Sequence, residues 1–132
     1  MSIVPFKEIL ADAFNRRYGV GAFNIVNDLT LEAVLQAAEE ARSPVIVQTS
    51  VKPSQFLGTN VMVAIYRALA ETAPVPVCLH LDHSTDVAYC KTCTDAGYTN
   101  IMIDASKQAF DENIRQTKEF VDYCHRRGGV SV

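Results

Sequence analysis

The sequence predicts an α/β chain built from consecutive βα units. Short apolar runs alternate with amphipathic stretches from one end to the other. No linker interrupts the alternation, and a composition of 48% apolar and 20% charged residues is that of an ordinary soluble globular domain rather than a disordered or coiled-coil chain.

A leading amphipathic segment, Phe6 to Arg17, gathers Phe6, Ile9, Leu10, Ala13 and Phe14 on one face and stops before Gly19, which predicts a short helix covering one end of the fold. The first strand is Val20 to Ile25. Asn27 or Asp28 can cap the next helix, Leu29 to Ala41, where Leu31, Val34, Leu35 and Ala38 recur at the helical period and Ser43-Pro44 brings the stop. The second strand is Val45 to Thr49, followed by a polar loop, Lys52 to Thr59. A helix from about Asn60 to Thr72 holds Val61, Ile65 and Leu69 in register, and Pro74 and Pro76 mark its boundary. The third strand is Val77 to Asp82. Thr85 or Asp86 can cap a helix running to Ala96, closed by Gly97 at the C′ position. The fourth strand is Asn100 to Asp104. The last helix, about Phe110 to Arg127, presents Ile114, Phe120, Val121 and Cys124; Gly128 and Gly129 stop it, and Val130 to Val132 read as the opening of a fifth strand.

Composition narrows the function classes. Twelve Lys and Arg against fifteen Asp and Glu leave a net charge of -3, with no basic block to neutralise a nucleic-acid backbone, so nucleic acid is not expected as a partner. No apolar run reaches the roughly 18 residues of a membrane span, and the first residues carry acidic groups without the apolar core of a signal peptide, which predicts a cytoplasmic protein with no membrane partner. Cys78, Cys90, Cys93 and Cys124 are therefore expected to be reduced thiols. At 132 residues the chain suffices for one domain but falls short of a closed (β/α)₈ barrel, which needs about 250.

Side chains alternate faces along a strand, so residue parity separates two surfaces. Val77, Leu79 and Leu81 form an apolar face suited to covering helices, while Cys78, His80 and Asp82 form the other. Strand two gives Val45 and Val47 against Ile46, Gln48 and then Ser50; strand four gives Ile101 and Ile103 against Met102 and Asp104; strand one gives Phe23 and Ile25 against Ala22 and Asn24. Asn24, Ser50, Asp82 and Asp104 thus stand at or just beyond the C-terminal ends of four strands, the edge where parallel α/β architectures bind ligands. Taken singly, Asn24 and Ser50 can satisfy turn backbones, and Asp82 and Asp104 can cap the helices that follow. Four together favour a shared site.

The sharpest local feature is Asp82-His83. If the strand ends at Asp82, His83 can turn back over the same opening. A neutral imidazole there suits a divalent transition metal such as zinc, and the adjacent carboxylate could shuttle a proton. The plainer alternative is a buried histidine bonded to backbone.

Gly21-Ala22-Phe23-Asn24, the run Ser43 to Ser50, Leu79-His80-Leu81-Asp82-His83, the segments Ala96-Gly97-Tyr98 and Met102-Ile103-Asp104, and Phe110 to Ile114 occur in an order that resembles the N-terminal part of class II, metal-dependent ketose-bisphosphate aldolases, across essentially the whole chain. The resemblance implies a TIM (β/α)₈ barrel, here a partial barrel of about four βα units plus the start of strand five, with residues 1–132 as its N-terminal half and no internal boundary. It implies an enzyme of carbohydrate metabolism, a lyase in which zinc acts as Lewis acid in reversible cleavage of a ketose 1,6-bisphosphate to dihydroxyacetone phosphate and glyceraldehyde 3-phosphate. Asp82 would be the proton-transfer residue and His83 a zinc ligand. Asp104 would belong to a second metal position, Ser50 would contact the aldehyde-phosphate portion of the substrate, and Asn24 would be a further substrate contact. The implied partners are a small phosphorylated sugar and either further copies of the chain or a missing C-terminal half.

Ser84 stands where that family often has Gly, and Lys107-Gln108 replaces a more typical turn. The family's remaining metal-binding histidines, second-site Glu and Gly-rich phosphate loop have no counterpart in the 132 residues, and neither His125 nor His80 matches those ligands. The alternative to a catalytic half is a non-catalytic fragment or association module, since four parallel strands leave an open edge. A thiol-redox or zinc-ribbon role for Cys90 and Cys93 is disfavoured because they fall mid-helix and lack a second Cys pair.

Overall fold

Four parallel strands, β1 (Gly21–Asn24), β2 (Val45–Ser50), β3 (Val77–Ser84) and β4 (Asn100–Ile103), pair in simple chain order in the computed structural model, which describes residues 2–128 and 130–132. An order that never reverses lets a sheet curl toward a barrel, whereas a doubly wound sheet switches direction at its centre. Among the described residues six helices accompany the strands: α1 (Phe6–Arg16), α2 (Asp28–Ala41), α3 (Val51–Leu57), α4 (Thr59–Ala70), α5 (Val87–Ala96) and α6 (Phe110–Arg126).

The parity expected from the sequence is realised as two separate apolar clusters. Val45, Val47, Val77, Leu79, Leu81 and Ile101 pack with Leu31, Leu35, Met62, Tyr66, Cys90 and Phe120 of the helices. Ile46 and Cys78, one residue out of phase, pack instead with Ile9, and Phe6 and Val20 border them. Burying each such aliphatic side chain stabilises the fold by about 1.5–3 kcal/mol.

Local chemistry sets the element ends. Asn27 caps α2 through a reciprocal box: its Oδ1 accepts from the Thr30 amide at 3.0 Å while Thr30 Oγ1 accepts from the Asn27 amide at 3.1 Å. Asp86, not Thr85, caps α5, with Oδ1 accepting from the amides of Ala88 and Tyr89. Gly97 closes α5 at φ 115, where a side chain would be strained and would also press on the Arg67 guanidinium.

Four expectations are corrected. The stretch Lys52 to Thr59, expected as a polar loop, contains most of α3, because Ser54 is drawn into the interior and holds a turn of helix there. Strand β3 does not end at Asp82; it runs to Ser84 through a bulge against β4. Strand β1 is trimmed to Gly21–Asn24. On α1, Ile9 and Ala13 are buried, but Leu10 is 40% and Phe14 84% exposed, since only half of its apolar stripe meets Ile46 and Cys78. The other half borders an open groove shared with Val130 and Val132.

The opening of a fifth strand is present. Ser131 bridges Asn100 in parallel, donating from its amide to Thr99 O at 3.2 Å and accepting from the Ile101 amide at 3.0 Å. Gly128 has φ 72 after the last helix, and Gly129, expected to share in stopping it, lies outside the described residues. Among the described residues no helix is long and apolar enough to cross a membrane. All four cysteines are buried free thiols, and burial pushes Cys78 and Cys93 up to about 11, the opposite of what a redox-active thiol requires.

Candidate active site

Parallel register brings the C-terminal ends of the strands level. Asn24 stands opposite Gln48, Gln48 opposite His80, and Ser50 opposite Asp82. Even-numbered side chains here point away from α2, α4, α5 and α6, on the face whose floor α1 covers, so a polar row runs over the apolar floor of Ile46 and Cys78.

Gln48 joins the row. Its Nε2 donates to Asn24 Oδ1 at 3.3 Å and to Asp82 Oδ2 at 3.4 Å. Sequence parity placed Gln48 on this face without giving it a task. The signal was available: an amide between an Asn and an Asp on neighbouring strands has both a donor and two acceptors within reach.

His83 follows Asp82 with φ 50, in the left-handed region that a non-glycine residue rarely adopts. This inverted residue, rather than an early strand end, returns the imidazole to the side of Asp82. Nε2 lies 3.9 Å from Asp82 Oδ1, and Nδ1 lies 3.0 Å from Asp104 Oδ2. Backbone strain at such a point marks a conformation that its surroundings over-determine. The surroundings here include the short bond from the Asp104 amide to Ser84 O, at 2.7 Å, which ties the bulge to the end of β4.

Asp104 serves two partners. Oδ1 accepts from the Ser106 amide at 3.1 Å and from the Ser106 hydroxyl at 2.6 Å, an Asx turn, while Oδ2 faces His83. The Ser106 hydroxyl, and then the His83 bond, hold the Asp104 carboxyl down to about 2. The same pair, aided by the charge of Asp82, raises His83 above its ordinary value. The buried alternative for His83 is set aside, because its side chain is 62% exposed.

His80 lies deeper, stacked on Phe6 with ring centroids 5.9 Å apart, its Nε2 3.8 Å from Asp82 Oδ1 and its Nδ1 without a hydrogen-bond partner among the described residues. Burial lowers its basicity. Ser50 ends β2 and precedes α3; its side chain is exposed and makes no cap bond. The arrangement therefore connects Asn24, Asp82, His83 and Asp104 through Gln48 and direct contacts, with Ser50 beside Asp82 but unbonded. His125 is exposed on α6, away from this row and beside the groove under α1.

Chemically, the row offers a carboxylate oriented by an amide and an imidazole oriented by a second carboxylate. A histidine whose Nδ1 is held by a carboxylate leaves Nε2 for a metal, the usual outer-shell pattern of zinc ligands. The donor set fits such an ion as one ligand: among the described residues no three His, Cys, Asp or Glu side chains group to hold a metal.

The chain is similar to known proteins along nearly its whole length. The family model of class-II fructose-bisphosphate aldolase matches residues 4–132. The fructose-bisphosphate aldolase of Geobacillus stearothermophilus is 44% identical over 135 residues, covering the whole of this chain and 47% of that protein. The 6-phospho-5-dehydro-2-deoxy-D-gluconate aldolase of Bacillus subtilis is 43% identical, covering the whole of this chain and 46% of that protein. The crystal structure of the YdjI aldolase from Escherichia coli K12 superposes with a TM-score of 0.90 at 33% identity, over 98% of this chain and 50% of that one. The chain spans about half the length of the relatives it matches.

Proposed function

The chain belongs to the class-II fructose-bisphosphate aldolase family, and on that footing we propose that residues 1–132 form the N-terminal half of an aldolase barrel, undivided, carrying the proton-transfer side of its site. The reaction is reversible, zinc-assisted cleavage of a ketose 1,6-bisphosphate to dihydroxyacetone phosphate and glyceraldehyde 3-phosphate, in the cytoplasm. The observation that carries this reading is the continuous polar row from Asn24 through Gln48 to Asp82, His83 and Asp104.

In cleavage, the Asp82 carboxylate takes the proton of the sugar hydroxyl whose carbon becomes the aldehyde; in condensation it returns that proton to the aldehyde oxygen. Gln48 holds the carboxylate by its Oδ2. Keeping it aimed matters because small misplacements of a reacting group are costly in rate. Asn24, held by the same amide, and Ser50, open to solvent at the end of β2, contact the substrate, Ser50 on the aldehyde-phosphate side. His83 would hold the zinc as one ligand, with Asp104 orienting it through Nδ1 and contributing to a second metal position. When bound, zinc supplies Lewis acidity toward the oxygens of the dihydroxyacetone phosphate portion.

Relatives named for two different substrates match this half at 44% and 43% identity, which supports assigning the choice of sugar to residues outside it. With one matched histidine against the roughly three protein ligands of a catalytic zinc, the 132 residues on their own lack a complete site. Incubated with zinc and fructose 1,6-bisphosphate, the isolated chain is expected to release no dihydroxyacetone phosphate. Robust release would overturn the half-site reading.

One observation favours a second reading, an association module that pairs with further copies. The groove beside α1, about 1010 Å³, is lined by Phe6, Leu10, Phe14, Val130 and Val132, an apolar surface of the kind that marks an interface. A concentration-independent monomer by size-exclusion chromatography counts against it.

A further inference from the structure

A run of side-chain hydroxyls on the helix-facing side of the sheet lies outside the chemistry described above. Thr49 on β2, Tyr98 before β4, Ser54 on α3, Tyr89 on α5 and Thr59 at the start of α4 form one chain. Thr49 Oγ1 lies 2.9 Å from Tyr98 OH, and Tyr98 OH lies 2.8 Å from Ser54 Oγ. Tyr89 OH donates to Ser54 Oγ at 2.7 Å and lies 3.1 Å from Thr59 Oγ1. A phenol has one proton; with that of Tyr89 given to Ser54, Thr59 must donate to Tyr89. Thr49, Ser54 and Tyr98 are all within 1% of complete burial.

Buried hydroxyls in an apolar layer are costly unless paired, so this chain is stable only when α3 sits where it does. The position of Ser50 gives the arrangement a consequence. Thr49 precedes it and Ser54 follows it by one helical turn, and both hydroxyls converge on the same phenol. Apart from Val51 and Leu57, which pack partly buried against the core, α3 has little else to define it: it is seven residues long, has no side-chain bond at its N-cap Ser50, includes Pro53, and exposes Phe56 at 95%.

We infer that Tyr98 is a positioning residue: its hydroxyl clamps the residues on either side of Ser50 and so sets the place of the Ser50 side chain at the mouth of the site. The site end of this inference rests on the substrate role proposed for Ser50; the clamp itself does not. Tyr98→Phe removes one oxygen and keeps the ring, so it opens no cavity. Thr49→Val removes the other end of the same bond with similar volume, and serves if the first variant folds poorly. Tyr66→Phe is the control, since Tyr66 OH is also buried but donates to Val77 O at the opposite end of the sheet.

The experiment is amide hydrogen exchange followed by NMR on the 132-residue chain, with inorganic phosphate as the probe at Ser50. In Tyr98→Phe the amides of Leu57 and Gly58 should exchange at least tenfold faster than in the parent, with Leu79 and Leu81 changing by less than threefold. The phosphate-dependent shift of the Ser50 amide should weaken at least threefold. Tyr66→Phe should speed both groups of amides alike and leave the phosphate response in place. Equal acceleration of α3 and β3 in Tyr98→Phe, or no change in α3, overturns the clamp. If phosphate does not move Ser50 even in the parent chain, the substrate role of Ser50 falls, and the exchange of α3 alone decides the clamp.

Discussion

His83 Nδ1 lies 3.0 Å from Asp104 Oδ2, so a carboxylate at the end of β4 fixes an imidazole at the end of β3. The contact depends on the left-handed backbone of His83, and it commits one ring nitrogen to the protein while sparing the other. Replacing Asp104 with Ala in a barrel completed by the C-terminal half of the Geobacillus stearothermophilus aldolase should weaken zinc binding about 10–100-fold, the usual cost of losing an outer-shell partner. His83→Ala should weaken it further. Competition against a zinc chelator measures both.

The two-cluster core makes a stability prediction that parity alone can order. Leu79 is fully buried between β3 and the helices, so Leu79→Ala should cost about 2–5 kcal/mol in urea denaturation. Phe14→Ala, at 84% exposure on α1, should stay within about 0.5 kcal/mol.

Asp86 is the cap of α5, and its carboxylate accepts from the amides of Ala88 and Tyr89. Asp86→Ala should lower stability by about 1 kcal/mol, read from the same denaturation curves, because two amides lose their acceptor.

The thiols predict an alkaline limit. Burial raises Cys78 and Cys93 to about 11 from an unperturbed value near 9, so the folded state holds those protons more tightly than the unfolded state. Their contribution is complete below pH 9 and is lost as pH rises toward 11. The urea midpoint should therefore fall across that window, and a Cys78→Ala, Cys93→Ala double variant should fall less steeply. At pH 8 the folded chain should react with a thiol reagent far more slowly than the unfolded chain.

Parity was legible because it needs only the strand period: Val77, Leu79 and Leu81 had to separate from Cys78, His80 and Asp82 whatever the partners were. The same reasoning put Asn24, Asp82 and Asp104 at one edge. It failed at α3, where Pro53, Ser54 and Gly58 read locally as turn residues; the helix depends on Tyr98, 44 positions from Ser54 in the chain. It also misjudged how His83 turns back, because a left-handed histidine has no sequence signature and is imposed by the bulge and by Asp104. Asp104 does not cap the helix that follows, whose N-cap is Ala109; one of its oxygens closes a turn at Ser106 and the other faces His83.

The most direct test of the account joins residues 1–132 to the C-terminal half of the Geobacillus stearothermophilus aldolase and measures zinc-dependent cleavage of fructose 1,6-bisphosphate, with and without Asp82→Asn. The joined protein should cleave it, and Asp82→Asn should lower kcat by about 10²–10⁴-fold, the range for a positioned proton-transfer group. A folded, zinc-loaded protein that cleaves equally well with Asn at position 82 would contradict the account.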